Sequence, residues 1–129
     1  MRIPVQINES SAEPLYHQIE TQLRSLIVTG QVAEGTLLPS IREFAADLKC
    51  SVITIRRVYQ DLENEGLLRT RQGTGTFVTR VDTDDREEYK KQIVLEAVRS
   101  LLDAARSVGY SPEELKALVD ETLRKEERK

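Results

Sequence analysis

Short hydroxyl side chains and arginines gather in the middle of this chain, at the predicted starts of two helices and around a glycine-rich turn. Hydroxyl groups at helix starts can donate to phosphate oxygens, and arginine can contact a phosphate or the edge of a guanine. The residues with this chemistry or beside it are Ser40, Arg42, Ser51, Ile53, Thr54, Arg56, Arg57, Arg71, Gln72, Gly73, Thr74 and Gly75.

Two short amphipathic helices are predicted on either side of Lys49 and Cys50. Ser40 and Ser51 can cap them, because a hydroxyl accepts from the unpaired N–H groups of a first turn. The apolar positions expected to face a core are Ile41, Phe44, Ala45, Leu48, Ile55, Val58, Tyr59 and Leu62. Gly66 is suited to the C-terminal end of the second helix, where a left-handed residue is often needed. The tight turn between the helices is typical of a helix-turn-helix. Cys50, the single cysteine, cannot form an internal disulfide, and we expect it to be a small buried residue.

The face of the second helix opposite Ile55 is expected to be open to a ligand. At about 100° per residue, this face carries Ile53, Arg57, Gln60 and Asn64, with Thr54 and Arg56 on its flanks. A recognition helix places its N-terminal residues in the major groove. Two explanations stay open for the apolar Ile53: it contacts a thymine methyl group, or it packs on the hairpin or a neighbouring loop.

A hairpin is predicted directly after these helices. Its strands are residues 67–71 and 76–79, and residues 72–75 form a glycine-rich tip. Arg69 and Arg71 are two positions apart, so they share one face of the strand. The tip is expected to approach the minor groove or a phosphate, and the alternative is a solvated hairpin that contacts nothing.

The flanking segments are expected to support this module, and the N-terminal arm is expected to pack either on its own domain or on the partner subunit. Residues 1–12 read as an extended arm with Ile3, Val5 and Ile7 on one side, followed by an amphipathic helix from Pro14 to Gly30. Residues 31–38 are expected to turn into a short strand beside the hairpin. Residues 81–85 form a polar junction to a C-terminal tail.

The tail is predicted to contain a long helix over residues 86–108 and a second helix that begins with a capping box at Ser111. Its apolar stripe is too wide for one helix pair to bury, so we expect a two-fold dimer. The alternative is that the long helix packs on its own winged domain, and both can hold. The predicted dimer contacts are Val94, Val98, Leu101, Leu102, Ala105, Leu115, Leu118 and Val119.

Composition limits the choice of function. The 129 residues allow one domain and a short appendage, which we divide into residues 1–80 and 81–129. The net charge is −3, but residues 42–80 carry seven basic and five acidic side chains. His17 is the only histidine, so no metal or cofactor is expected. No nucleophile with a base or Walker sequence indicates an enzyme. The absence of a signal peptide or apolar span favours a cytoplasmic location without membrane contact.

Residues 14–79 closely resemble the DNA-binding half of the GntR family of bacterial transcription regulators. The shared motifs are LPSxR at residues 38–42, T-x-x-R-x-Y at 54–59, L-E-x-E-G at 62–66 and R-x-G-x-G-x-F-V at 71–78. The resemblance implies a winged helix-turn-helix, mainly α with a small β-hairpin wing (α+β). It implies DNA contacts from Arg42, Ser51, Thr54, Arg56, Arg57 and residues 72–75.

The two-helix tail resembles the small YtrA branch of that family, whose members often control transporter operons. We therefore expect a sequence-specific, homodimeric repressor that binds a palindrome in double-stranded DNA. The rival hypothesis is a winged helix that docks another protein. The outward arginines favour phosphate over protein. No residue cluster marks a small-molecule effector, so an effector stays an open partner.

Overall fold

A computed structural model describes residues 3–80 and 82–127, and these are mostly helical with one small antiparallel hairpin. The predicted fold class is confirmed, including the winged helix-turn-helix order. The elements are α1 (Leu15–Val28), α2 (Ile41–Leu48), α3 (Val52–Asn64), β1 (Leu68–Arg71), β2 (Gly75–Val78), α4 (Thr83–Ser107) and α5 (Pro112–Glu127).

The chain forms two compact units, Met1–Glu87 and Glu88–Lys129. The division lies inside α4, whereas the boundary expected from the sequence precedes that helix. Position 81, the start of the expected junction, is outside the described residues, as are positions 1, 2, 128 and 129. The two units are described separately below.

Helix α3 lies at the centre of the first unit, between α1, α2 and β1. Its predicted inward positions Ile55, Val58 and Leu62 are fully buried, and Tyr59 is 4% exposed. From α1, Ile19, Leu23 and Ile27 are also buried, as an amphipathic helix requires. Each such aliphatic side chain contributes about 1.5–3 kcal/mol when it is removed from water. This burial holds the two helix-turn-helix elements in a fixed orientation.

Both predicted caps are present at the helix-turn-helix. Ser40 forms a capping box with Glu43, and Ser51 accepts a hydrogen bond of 3.1 Å from the Thr54 backbone N–H. Between the helices Lys49 adopts a left-handed conformation, with φ of 55°, which turns the chain sharply.

The prediction that Cys50 is buried is wrong, because the turn leaves its side chain half-exposed. The partial burial of Cys50 raises the pKa of its thiol. Ile41 and Leu48 are also only half-buried.

The wing is a short hairpin in which Leu68 pairs with Val78 and Arg71 pairs with Gly75. The tip therefore has three residues, 72–74, and the prediction of a four-residue tip is wrong, since Gly75 belongs to β2. The strand expected beside the hairpin is reduced to one β-bridge, between Leu37 and Phe77.

The N-terminal arm packs within the first unit. Ile3 and Val5 are buried, while the third predicted position, Ile7, is only half-buried, so the alternation is confirmed at Ile3 and Val5 and weaker at Ile7. Residues 3–12 nevertheless do not form a β-strand. Their backbone N–H and C=O groups form hydrogen bonds with side-chain amides instead of with a neighbouring strand. Gln22 exchanges hydrogen bonds of 2.7 and 2.9 Å with the Gln6 backbone.

In the second unit, helices α4 and α5 leave their apolar residues largely open. Among the described tail residues only Ala105, at 9% exposure, is buried. The predicted capping box at the start of α5 is confirmed: Glu114 N–H donates to Ser111 Oγ at 3.1 Å, and Ser111 N–H donates to the Glu114 carboxylate at 3.0 Å. The bond from the Ser111 backbone N–H, followed by the Ser111 side chain, lowers the pKa of the Glu114 carboxyl group.

Candidate nucleic-acid interface

The start of α2, one flank of α3 and the wing enclose a single cleft of about 470 Å³. It brings together five of the residues selected from the sequence, although they come from three separate elements. These are Ser40, Arg42, Arg56, Thr74 and Gly75. The cleft carries two exposed arginines, which can bind an anion, beside one carboxylate, Glu43, that is held in the capping box at the start of α2.

The wing can border this cleft because Gly75 has no side chain. Its φ is +127°, and a Cβ atom there would lie 2.9 Å from Leu37 Cδ1. The positive φ therefore favours glycine, whereas Leu37 Cδ1 is the end of a half-exposed side chain that can move away from an added methyl group. Leu37, whose β-bridge partner is Phe77, is itself half-exposed and lines the cleft.

The hydroxyl groups of Ser51 and Thr54 lie at the start of α3, where their oxygen atoms are 2.8 Å apart. One hydroxyl donates to the other, so one O–H of the pair stays available to a phosphate. Their predicted capping geometry is present, but neither residue lines the cleft.

Ile53 is 74% exposed on the outward face of α3. The explanation that it packs on the wing or on a neighbouring loop is therefore wrong. A branched apolar side chain that is open to water at a helix start is suited to contact a thymine methyl group.

The adjacent arginines of α3 point in different directions. Arg56 lines the cleft beside the wing. Arg57 instead lies over the ring of Tyr16 in α1, with Cζ 3.6 Å from the ring centroid. Its Nε is 3.9 Å from Asp61 Oδ2, and 57% of its side chain stays exposed. The arginine pair thus covers two sides of the recognition helix.

Arg71 lies apart from the cleft, on the outer face of the wing. There it shares a second cavity of about 350 Å³ with Arg69, Phe77 and Arg80. The prediction that Arg69 and Arg71 share one face is consistent with this cavity. Gln72 and Gly73 are exposed at the wing tip and do not line the cleft.

The carboxyl group of Glu20 lies between α1 and α3 beside a chain of charges. Burial and the nearby Asp61 carboxylate raise its pKa, while Arg24 opposes the shift. Arg24 donates to both carboxylate oxygens of Glu65, at 3.1 and 2.9 Å, and so joins α1 to the end of α3. This network lies on the same two helices as the Arg57–Tyr16 contact.

Sequence reasoning missed Tyr16, Val52 and Leu37 as neighbours of the functional residues. Tyr16 lies far from Arg57 in sequence, and only the packing of α1 on α3 brings them together. Val52 could have been found from the sequence, because it lies between the selected residues Ser51 and Ile53 at the start of the recognition helix.

The predicted dimer contacts lie in the second unit. Val94, Val98, Leu101, Leu102 and Leu118 are between 37% and 62% exposed. Leu115 and Val119 are half-buried. Five large apolar side chains on two helices are thus left in contact with solvent within one chain.

Comparison with known proteins was consistent across sequence and structure. Residues 15–78 match the family described as bacterial regulatory proteins, gntR family. The chain is 31% identical over 117 residues to the HTH-type transcriptional repressor YtrA of Bacillus subtilis, with 91% of this chain and 90% of YtrA covered.

Two solved structures are also similar. A GntR family transcriptional regulator from Listeria monocytogenes superposes with a TM-score of 0.73 at 30% identity, covering 89% of this chain and 98% of that one. AraR(DBD) in complex with operator ORX1 has a TM-score of 0.50 at 32% identity, covering 61% of this chain and 92% of that one.

The matched proteins are transcription regulators rather than enzymes. Over residues 3–80 and 82–127, no helix is both long and apolar enough to cross a membrane. With 91% of this chain covered, the match to YtrA reaches into the helical tail and leaves little of either protein unmatched. The chain therefore belongs to the GntR family of bacterial regulatory proteins, in its small YtrA-type branch, and is a DNA-binding transcription regulator.

Proposed function

We propose that this protein is a homodimeric repressor that recognises a palindromic operator through residues 1–80 and dimerises through residues 81–129. The observation that carries the DNA-reading part is the cleft that unites Arg42, Arg56 and the wing residues Thr74 and Gly75. Val52, which precedes the exposed Ile53 in α3, also lines the cleft, so cationic groups and an apolar side chain occur near the same helix start. AraR(DBD), a structural neighbour, is described in complex with its operator.

Dimerisation is supported by the exposed apolar side chains of the tail. Val94 is 62% exposed and Leu118 is 45% exposed, and single chains rarely leave so many aliphatic groups open on two helices. A two-fold dimer would bury the same stripe on both copies. Dimerisation also suits a palindrome, because two recognition helices about 34 Å apart would meet successive major grooves on one face of DNA.

Repression is proposed because YtrA of Bacillus subtilis is named a transcriptional repressor and matches almost the whole chain. Control of a transporter operon is proposed from the YtrA-type resemblance alone. The genomic positions of bound sites test that part directly.

Selection of bound sequences from random duplex DNA, repeated at two salt concentrations, tests the proposal. A palindromic consensus that survives the higher salt supports a dimeric, sequence-reading regulator, and its genomic sites identify the operon. Binding that enriches no sequence and disappears at moderate salt reflects phosphate attraction alone and contradicts the proposal. If the consensus is bound only when a cell metabolite fraction is present, the regulator also requires a small-molecule effector. Failure under both conditions would favour the protein-docking alternative.

A further inference from the structure

The contact between Tyr16 and Arg57 bears on how the recognition helix addresses DNA. Arg57 lies on the outward face of α3, but its guanidinium group is 3.6 Å from the centroid of the Tyr16 ring in α1. Tyr16 is half-exposed, and 57% of the Arg57 side chain is exposed. The stack therefore lies at the protein surface, where a DNA strand can reach it.

Stacking leaves the hydrogen-bonding capacity of the guanidinium group largely intact. The ring covers one face of the planar group, whereas the five N–H donors point outward in the plane. The nearest acid, Asp61, is 3.9 Å from Arg57 Nε, which is too long for a hydrogen bond. Arg57 can therefore donate two in-plane bonds to a phosphate while it stays on the ring.

A contact to a guanine in the major groove would require the Arg57 side chain to move. The side chain would have to leave Tyr16 and extend along the outward face of α3 toward the base edge. The loss of the ring contact would oppose that movement. Arg56, which already faces the cleft, needs no such rearrangement.

We propose that Tyr16 is a positioning residue that holds Arg57 as a phosphate contact on the α1 side of the recognition helix. Arg42, Arg56 and the wing then address the DNA from the cleft, on a different side of α3. The inference rests on the proposed DNA-binding function. It assigns Arg57 to register and affinity rather than to base choice, and it adds Tyr16 to the interface.

A double-mutant cycle on the full chain tests the coupling of the two residues. The variants are Tyr16→Leu, Arg57→Ala and their combination, with Tyr16→Phe as the control that keeps the ring. Tyr16→Leu is expected to weaken binding about three- to tenfold, as loss of a cation–π contact at a partly exposed site would. The double variant should bind no more weakly than Arg57→Ala, and Tyr16→Phe should bind like the wild type.

Specificity and salt dependence provide the second readout. Arg57→Ala should weaken binding to the selected operator and to a scrambled duplex by the same factor, and should reduce the salt slope by about one unit. Asp61→Asn should not weaken binding, because Asp61 places a negative charge near the phosphate. A thermal melt of each variant confirms that it is folded.

The side-chain resonances of Arg57 report its position directly. The Tyr16 ring should shift its δ-protons upfield in the wild type and in Tyr16→Phe, and the shift should persist when operator DNA is added. Loss of that shift on DNA binding would overturn the proposal. So would a relaxed base preference in Arg57→Ala, or additive effects in the cycle. A wild type that binds no DNA at all would instead overturn the proposed function, and the inference with it.

Discussion

The hydroxyl group of Tyr59 in α3 donates a hydrogen bond of 2.7 Å to the backbone carbonyl of Pro39, just before α2. Burial and the Glu43 carboxylate raise the pKa of this hydroxyl above its ordinary value of 10.0, so it keeps its proton under alkaline conditions that ionise a free tyrosine. The Tyr59 ring also stacks on Phe44, with centroids 6.0 Å apart. One side chain thus joins the recognition helix to the segment that delivers Ser40 and Arg42 to the cleft.

Removal of that hydroxyl should loosen the cleft. Tyr59→Phe keeps the ring stack but leaves the Pro39 carbonyl without its donor, and we expect a loss of about 0.5–1.5 kcal/mol in the free energy of unfolding. Urea denaturation measures this loss. Tyr110→Phe, whose ring is 38% exposed, is the control and should have little effect. Equal stabilities of the Tyr59 variant and the wild type would show that the bond is unimportant.

Glu20 should make the protein less stable as the pH rises from acid toward neutral. Its pKa is raised in the folded chain, mainly by burial, so the folded state holds the proton more tightly than the unfolded state does. Stability from this group is complete below the ordinary pKa of 4.5 and is lost as the pH rises through the raised value.

Glu20→Gln removes the titrating group and should therefore raise stability at pH 7 with little effect below pH 4.5. Denaturation curves measured across this range test the sign. A variant that is less stable than the wild type at pH 7 would mean that attraction to Arg24 outweighs burial.

Gly75→Ala should damage the wing more than Gly73→Ala. Gly75 has φ of +127° and faces Leu37, whereas Gly73 has φ of +83° and open space, with no atom within 4 Å, where an alanine Cβ would lie. We expect a cost of about 1–3 kcal/mol at Gly75 and about 1 kcal/mol at Gly73. Thermal unfolding and operator affinity measure both effects. A wild-type affinity for Gly75→Ala would exclude the wing edge of the cleft from DNA binding.

Arg56 and Arg71 should affect DNA binding differently, because one faces the cleft and the other the outer surface of the wing. Arg56→Ala should cost about 1–3 kcal/mol and change the base preference at one operator position. Arg71→Ala should weaken binding to all sequences alike. Affinities for operator variants and scrambled DNA separate the two. A uniform loss in Arg56→Ala would make that residue a phosphate contact.

Leu101→Asp should weaken dimerisation, because it places a charge in the apolar stripe of α4, where Leu101 is 41% exposed. Operator affinity should fall with it, since one half-site then binds alone. Ser100→Asp adds the same charge at the adjacent exposed position and is the control. Sedimentation and DNA titration give the two readouts. A fully dimeric Leu101→Asp protein with tight operator binding would remove Leu101 from the proposed interface.

Local sequence determined most of the secondary structure. The caps at Ser40, Ser51 and Ser111 and the buried stripe at Ile55, Val58 and Leu62 follow from residue type and helical spacing, which act over a few residues. The family motifs then identified the module, because their order and spacing are specific. The main local errors, at Cys50 and at the wing tip, occurred in turns, where backbone conformation decides exposure and register.

Only the tertiary structure decided which functional side chains meet. Arg42, Arg56 and Thr74 share a cleft because α2, α3 and the wing converge there, and Arg57 turns away to Tyr16 because α1 packs on α3. The sequence by itself placed both arginines on the recognition helix, since helical spacing depends only on neighbouring residues. It could not show that Arg56 lines the cleft while Arg57 lies over Tyr16, because the direction of a long side chain depends on partners that are distant in the chain.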